Sequence, residues 1–100
     1  MTPACEMMNL TNIQVYGLEK QALQLCEECG ELIQAASKMV RANFSDDSVN
    51  KMLEELADVM VVAKQFMQVF HVPDSAVEGM MEEKIHRQWA RIQASNFIRV

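Results

Sequence analysis

The chain has 100 residues, half of them hydrophobic, and a formal net charge of −5. This length suits one domain, residues 1–100, around a single core, and the acidic balance argues against nucleic-acid binding or anionic membrane surfaces. Three cysteines, an odd number, favour a cytoplasmic protein over a disulfide scaffold. We expect no signal peptide, because Glu6 interrupts the first apolar residues, and the apolar run 59–63 is too short to span a membrane.

Apolar residues recur at helical spacing along most of the chain, which predicts an all-α fold. The short N-terminal segment, residues 1–17, is expected to form a short helix that ends at Gly17. The first long helix is predicted from Leu18 to about Ala42, since its apolar residues recur every three to four positions.

The second long helix is predicted to follow Ser45 and to run to about Phe70. Serine is a favoured N-cap residue, and the two aspartates that follow it suit the first turn of a helix. The helix is expected to end at His71-Val72-Pro73, because a residue that precedes proline is disfavoured in the helical region.

A third long helix is predicted to begin with a capping box formed by Ser75 and Glu78 and to reach about Ala94. Residues 95–100 are predicted to form a short tail. Its apolar residues, Phe97 and Ile98, are expected to pack on the domain or on a neighbouring chain.

Short connections predict that the long helices pack antiparallel as a bundle. The C-terminal half of the second long helix is apolar on every side over residues 59–63, and residues 66–70 continue the trend. A helix that is apolar all round is buried all round. In a domain of this size a second chain must cover one side, so we predict a bundle completed by oligomerisation, as a homodimer or a homotetramer.

Two copies of a short acidic pattern lie on the first two long helices: Glu27-Glu28-Cys29-Gly30-Glu31-Leu32 and Glu54-Glu55-Leu56-Ala57-Asp58-Val59. Residues three apart share a helix face, so Glu28 lies beside Glu31, and Glu55 beside Asp58. Glu28 and Glu55 also occupy positions that the apolar periodicity assigns to the core. Burying unpaired carboxylates is costly unless cations compensate their charge.

Two antiparallel helices could present these carboxylates across a shared seam. Two carboxylates about 5 Å apart repel by about 3 kcal/mol at an effective dielectric constant of about 20, so a cluster of four would titrate abnormally or disrupt the seam unless a cation binds it. Oxygen ligands select hard cations, which predicts Mg²⁺, or Mn²⁺, before zinc. The alternative is a solvated acidic face with ordinary i,i+4 pairs such as Lys51 with Glu55, and Glu27 and Glu54 lie off the apolar stripe as that alternative expects.

The segments Glu27-Glu28-Cys29-Gly30-Glu31 and Glu55-Leu56-Ala57-Asp58 resemble the EExxE…ExxD signature of the MazG-like all-α nucleoside triphosphate pyrophosphohydrolases, which include dimeric dUTPases and dCTPases. The resemblance extends from about Tyr16 to Met67, and more loosely through the third long helix. It implies hydrolysis of a nucleoside triphosphate to the monophosphate and pyrophosphate. It assigns Glu28, Glu31, Glu55 and Asp58 as Mg²⁺ ligands, and it gives Glu27 the role of orienting or deprotonating the attacking water.

Lys84, Arg87 and Arg91 form a basic stripe on the third long helix, at spacings of three and four residues. Family members often carry a lysine and other polar or basic groups in this region that contact the triphosphate. Lys84 is the best match to that lysine, while Gln88 stands where many members have asparagine. The resemblance thus implies substrate binding by the stripe, and we predict that Lys38 of the first long helix also binds substrate. The alternative for the stripe is a solvated basic face.

The implied mechanism is metal-assisted attack of water at phosphorus, with a carboxylate accepting the proton. A related alternative is the phosphoribosyl-ATP pyrophosphohydrolase of histidine synthesis, whose helical core and acidic motifs are similar. An alternative of another class is a non-catalytic helical module whose acidic seam binds a basic partner. Cys26 and Cys29 form a CxxC pattern, but it lies mid-helix without recognisable further ligands, so we expect Cys29 to be a small core residue.

Overall fold

Four helices make up the fold. In the computed structural model, which describes the backbone of residues 1–99 and the side chains of residues 1–95, they are α1 (Pro3–Tyr16), α2 (Leu18–Arg41), α3 (Asp46–Val69) and α4 (Asp74–Arg99). The all-α prediction is confirmed, since this described part of the chain contains no strand. None of its helices is long and apolar enough to cross a membrane.

The helices fall into two compact units, Met1–Phe70 and His71–Val100. The first unit contains α1, α2 and α3, and the second contains α4. That the whole chain forms a single domain stays a prediction.

Helix α1 begins and ends where its sequence dictates. The Thr2 hydroxyl accepts a hydrogen bond from the Cys5 backbone N–H at 3.2 Å, and Pro3 occupies the first helical position, where its missing N–H costs nothing. Gly17 ends α1 with φ +91°, a conformation that side-chain-bearing residues rarely adopt. The predicted break at Gly17 is confirmed.

A tight turn joins α2 to α3. Asn43 and Phe44 have φ values of 53° and 58°, in the left-handed region, and Ser45 follows as the N-cap of α3. The Ser45 hydroxyl accepts a hydrogen bond from the Ser48 backbone N–H at 3.4 Å, which confirms the predicted cap. At its other end α3 stops at Val69, one residue earlier than expected.

Helix α4 corrects the predicted capping box and the predicted tail. The helix begins at Asp74, directly after Pro73, so Ser75 lies within the first turn and is not the N-cap. At the other end the backbone stays helical to Arg99, because the residues after Ala94 include no proline or glycine to end the helix. The expected packing of Phe97 and Ile98 falls on side chains outside the described residues.

Helices α2 and α3 pack antiparallel, as predicted. Gln21 near the start of α2 contacts Gln65 near the end of α3, whereas Glu31, further along α2, lies beside Glu55, nearer the start of α3. Helix α1 lies against the C-terminal half of α3, where the side chain of Asn9 donates a hydrogen bond to the carbonyl of Val61 at 3.1 Å. This arrangement places the two acidic patterns opposite each other.

A line of buried amides crosses the interior of this unit. Gln21 donates to Gln65 at 2.7 Å, and Gln65 donates to Asn9 at 2.9 Å, so one side chain from each of α1, α2 and α3 is included. All three are at least 93% buried, and Ile13 and Val62 are buried apolar residues of the same unit. The C-terminal half of α3 is therefore not purely apolar at its buried face.

Candidate functional site

Four carboxylates converge between α2 and α3. One oxygen atom from each of Glu28, Glu31, Glu55 and Asp58 can be chosen so that all four atoms lie within 4.8 Å of one another. Each helix supplies a pair spaced by one turn, and the antiparallel packing sets the pairs face to face. We call these four side chains the carboxylate cluster.

The cluster contains buried oxygen atoms that lack a hydrogen-bond donor. Glu28 and Glu55 are half-buried, while Glu31 and Asp58 are exposed. Gln24 donates a hydrogen bond to Oε1 of Glu28 at 2.7 Å, but Oε2 of Glu28 and Oε2 of Glu55 are buried without a partner. A carboxylate oxygen in that situation is destabilising unless a cation or donor approaches it. The cluster therefore fits a bound cation.

The electrostatics of the cluster show most clearly at Glu31. Its pKa is raised above the usual glutamate value, first by a hydrogen bond to Glu55 and by the charge of Glu55, and further by the charge of Asp58. Contact with Glu28 acts in the opposite direction. Negative charge is thus concentrated at the seam, where a divalent cation would relieve the repulsion.

A groove of about 600 Å³ adjoins the cluster between the C-terminal part of α2 and the N-terminal part of α3. Glu31 and Glu55 belong both to the groove wall and to the carboxylate cluster. Lys38 from α2 and Lys51 from α3 also line it. The structure thus brings one predicted substrate-binding residue, Lys38, into the same groove as two predicted metal ligands.

Lys51 has a different partner from the one that its spacing suggested. Its ammonium group lies 3.4 Å from a carboxylate oxygen of Asp47, one turn earlier, and the two side chains are 70% and 83% exposed. An exposed pair of this kind contributes little to stability. Lys51 can therefore exchange Asp47 for another anion at small cost.

Glu27 is exposed and is not one of the four residues in the carboxylate cluster. Its predicted role at the attacking water stays a prediction. Glu54, which the sequence pattern assigned to a solvated face, lines the groove.

The basic stripe of α4 also forms one surface. Lys84, Arg87 and Arg91 line a shallow depression of about 230 Å³ together with Gln88. The structure brings these three predicted substrate-binding residues together on one face of α4. Their participation at the carboxylate cluster stays a prediction, because α4 belongs to the other unit.

Sequence reasoning missed two hydrogen-bonding residues, Gln24 beside the carboxylate cluster and Gln65 in the line of buried amides. Gln24 lies four residues before Glu28, a spacing that brings two side chains together on a helix, so this contact had a signal. Gln65 also had a weak signal, since it interrupts the apolar half of α3. Cys26 is exposed and Cys29 half-buried, and neither is in a disulfide.

Comparison with protein-family models, with curated proteins and with solved structures gave no match.

Proposed function

We propose that this chain is a Mg²⁺-dependent nucleoside triphosphate pyrophosphohydrolase, which converts a ribo- or deoxyribonucleoside triphosphate to the monophosphate and pyrophosphate. The observation that carries the proposal is the carboxylate cluster, with four ligand atoms within 4.8 Å of one another and two buried oxygen atoms without a donor. The order of these acids along the chain also resembles the EExxE…ExxD signature.

The donor set suits Mg²⁺, with Mn²⁺ as a substitute. Glu28, Glu31, Glu55 and Asp58 offer only carboxylate oxygen, the ligand type that hard divalent cations take, and the cluster includes no thiolate or imidazole. When bound, the cation would neutralise phosphate charge and lower the pKa of a coordinated water.

The remaining roles fall to side chains of this chain. Glu27, exposed and next in sequence to a cluster residue, is proposed to accept the proton of the attacking water. Lys38, in the groove wall, is proposed to bind phosphate oxygen, as are Lys84, Arg87 and Arg91 of α4. An enzyme of this design needs no covalent nucleophile.

We also propose that two or more copies of the chain assemble. Among the residues whose side chains are described, the buried apolar residues are Ile13, Ala35 and Val62, whereas many large apolar side chains are exposed. Met60 and Val61 of α3 are 53% and 44% exposed, within the segment predicted to be covered by a second chain. Exposed apolar surface on this scale is typical of an interface between protein chains.

The test is turnover of a panel of nucleoside triphosphates, deoxynucleoside triphosphates and phosphoribosyl-ATP with Mg²⁺, with products separated by chromatography. We expect monophosphate and pyrophosphate from at least one nucleoside triphosphate. Glu28→Gln or Asp58→Asn should lower turnover by about 100-fold or more, the scale for loss of one group that stabilises transition-state charge. Glu19→Gln, which removes an exposed glutamate outside the cluster, should match the wild type.

Circular dichroism of each variant separates loss of the site from loss of the fold, because we expect helical content to stay unchanged. Full turnover in Glu28→Gln or Asp58→Asn would contradict the assignment of these side chains. Turnover of phosphoribosyl-ATP alone would replace the proposed substrate class with that of the related enzyme.

A further inference from the structure

The groove between α2 and α3 has acidic side chains at the carboxylate cluster and two lysines, with one aspartate, toward its other end. Lys38 follows Glu31 by seven residues in α2, and Lys51 precedes Glu55 by four residues in α3. At a rise of 1.5 Å per residue, these separations are about 10 Å and about 6 Å along the helix axes. Because the helices are antiparallel, both lysines are displaced from the cluster toward the same end, the turn that joins α2 to α3.

We infer that Lys38 and Lys51 form a phosphate-binding end of this groove and hold the part of a polyphosphate chain that extends away from the carboxylate cluster. The inference rests on the proposed function, since the cation at the cluster would hold the other part of the chain. It adds Lys51 to the binding residues and gives the chain of phosphates a direction along the groove.

The charges at the lysine end favour an anion. Two ammonium groups line the wall there, whereas the partial positive charge at the N-terminus of α3 is offset by the partial negative charge at the C-terminus of α2, which ends at the same turn. Asp47 also lines the groove and opposes them, but it is engaged with Lys51 in an exposed pair that an incoming phosphate can displace.

The arrangement predicts which ligands bind well. A chain of two or three phosphates can reach from the cluster toward the lysines, whereas a single phosphate contacts one end only. Ligands with a polyphosphate chain are therefore expected to bind more tightly than inorganic phosphate or a nucleoside monophosphate. Of the two products, the nucleoside monophosphate is therefore expected to leave the groove more readily than pyrophosphate.

The test is calorimetric titration of the full chain with MgCl₂, and then with inorganic tripolyphosphate and inorganic phosphate at saturating Mg²⁺. We expect Lys51→Met and Lys38→Met each to weaken tripolyphosphate binding by about tenfold, the usual effect of losing one hydrogen bond to a charged group. Their Mg²⁺ affinity should stay within about twofold of the wild type, because an ammonium group is not a metal ligand.

The matched control is Lys20→Met, which removes the same charge where Lys20 lies over the ring of Tyr16 at 4.9 Å, outside the groove. Wild-type affinity for tripolyphosphate in both groove variants, or equal weakening in the control, would overturn the inference and leave the proposed function standing. If the wild type bound no Mg²⁺, the proposed function would fail, and the inference with it.

Discussion

Glu28 and Glu55 are the residues on which the site depends. Both occupy positions in the apolar periodicity of their helices, and both are half-buried with one oxygen that lacks a donor. Their convergence with Glu31 and Asp58 could be anticipated because i,i+3 spacing fixes which side chains share a helix face. The ion-pair partner of Lys51 could not be assigned in the same way, since Asp47 and Glu55 each lie one turn away from it.

The raised pKa of Glu31 links stability of the metal-free protein to pH. The hydrogen bond to Glu55 and the charges of Glu55 and Asp58 raise it, so the folded state holds this proton more tightly than the unfolded state does. The stabilisation is complete below the ordinary glutamate pKa and is lost as pH rises through the raised value. Glu31→Gln cannot lose this proton, so in metal-free buffer it should gain stability relative to the wild type as pH rises.

Urea unfolding of the two proteins at a series of pH values measures this difference. Glu19→Gln, on the exposed first turn of α2, should show no such gain. Parallel stability profiles for Glu31→Gln and the wild type would mean that repulsion at Glu31 has no effect on folding.

The helices show which boundaries a sequence specifies well. Gly17 and Ser45 determine their boundaries through local chemistry: a positive φ at glycine and a hydroxyl that caps a backbone N–H. The predicted start of α4 is wrong because the helix already begins at Asp74, one residue before the serine that the prediction takes as its N-cap. The predicted end near Ala94 is wrong because the sequence after that residue contains no proline or glycine that would stop the helix.

Packing between helices was harder to anticipate where the buried side chain is polar. Asn9, Gln21 and Gln65 satisfy one another in the interior of the first unit, and each comes from a different helix. A polar residue at a buried position is recognisable only when its partners are known. Periodicity assigns such residues to the surface. The two partners of Gln65, for example, are each more than forty residues away from it along the chain.

The prediction of self-assembly depends on exposed apolar residues of α3. Leu53, Met60 and Val61 are 44–53% exposed on this helix. We expect light scattering at micromolar concentration to give the mass of a dimer or a tetramer. Met60→Glu should shift the mass toward the monomer, because a buried, unpaired carboxylate opposes association.

The matched control is Asn12→Glu, which adds the same charge at an exposed polar position of α1. A wild-type mass equal to one chain at every concentration would contradict the assembly. An equal loss of mass in the control would show that α3 is not the contact face.

At the scale of the whole molecule, composition and periodicity predicted the all-α fold class, but they did not predict which apolar side chains are buried. The chain is half hydrophobic, yet exposed apolar side chains occur on all four helices, including Val15, Leu23, Met60 and Trp89. Exposed apolar side chains of this kind are typical of an interface between protein chains. Sequence patterns show that a residue is apolar, but they do not show which surface covers it.

The central claim is that the carboxylate cluster holds a divalent cation, and thermal unfolding with increasing MgCl₂ tests it most directly. A ligand that binds only the folded state stabilises it, and each 1 kcal/mol raises the melting temperature of a domain of this size by about 4–8 °C. We predict a saturable rise of several degrees for the wild type, little or none for the double variant Glu28→Gln/Asp58→Asn, and none with NaCl at matched ionic strength. An unchanged melting temperature in the wild type, or an equal rise in the double variant, would contradict the account.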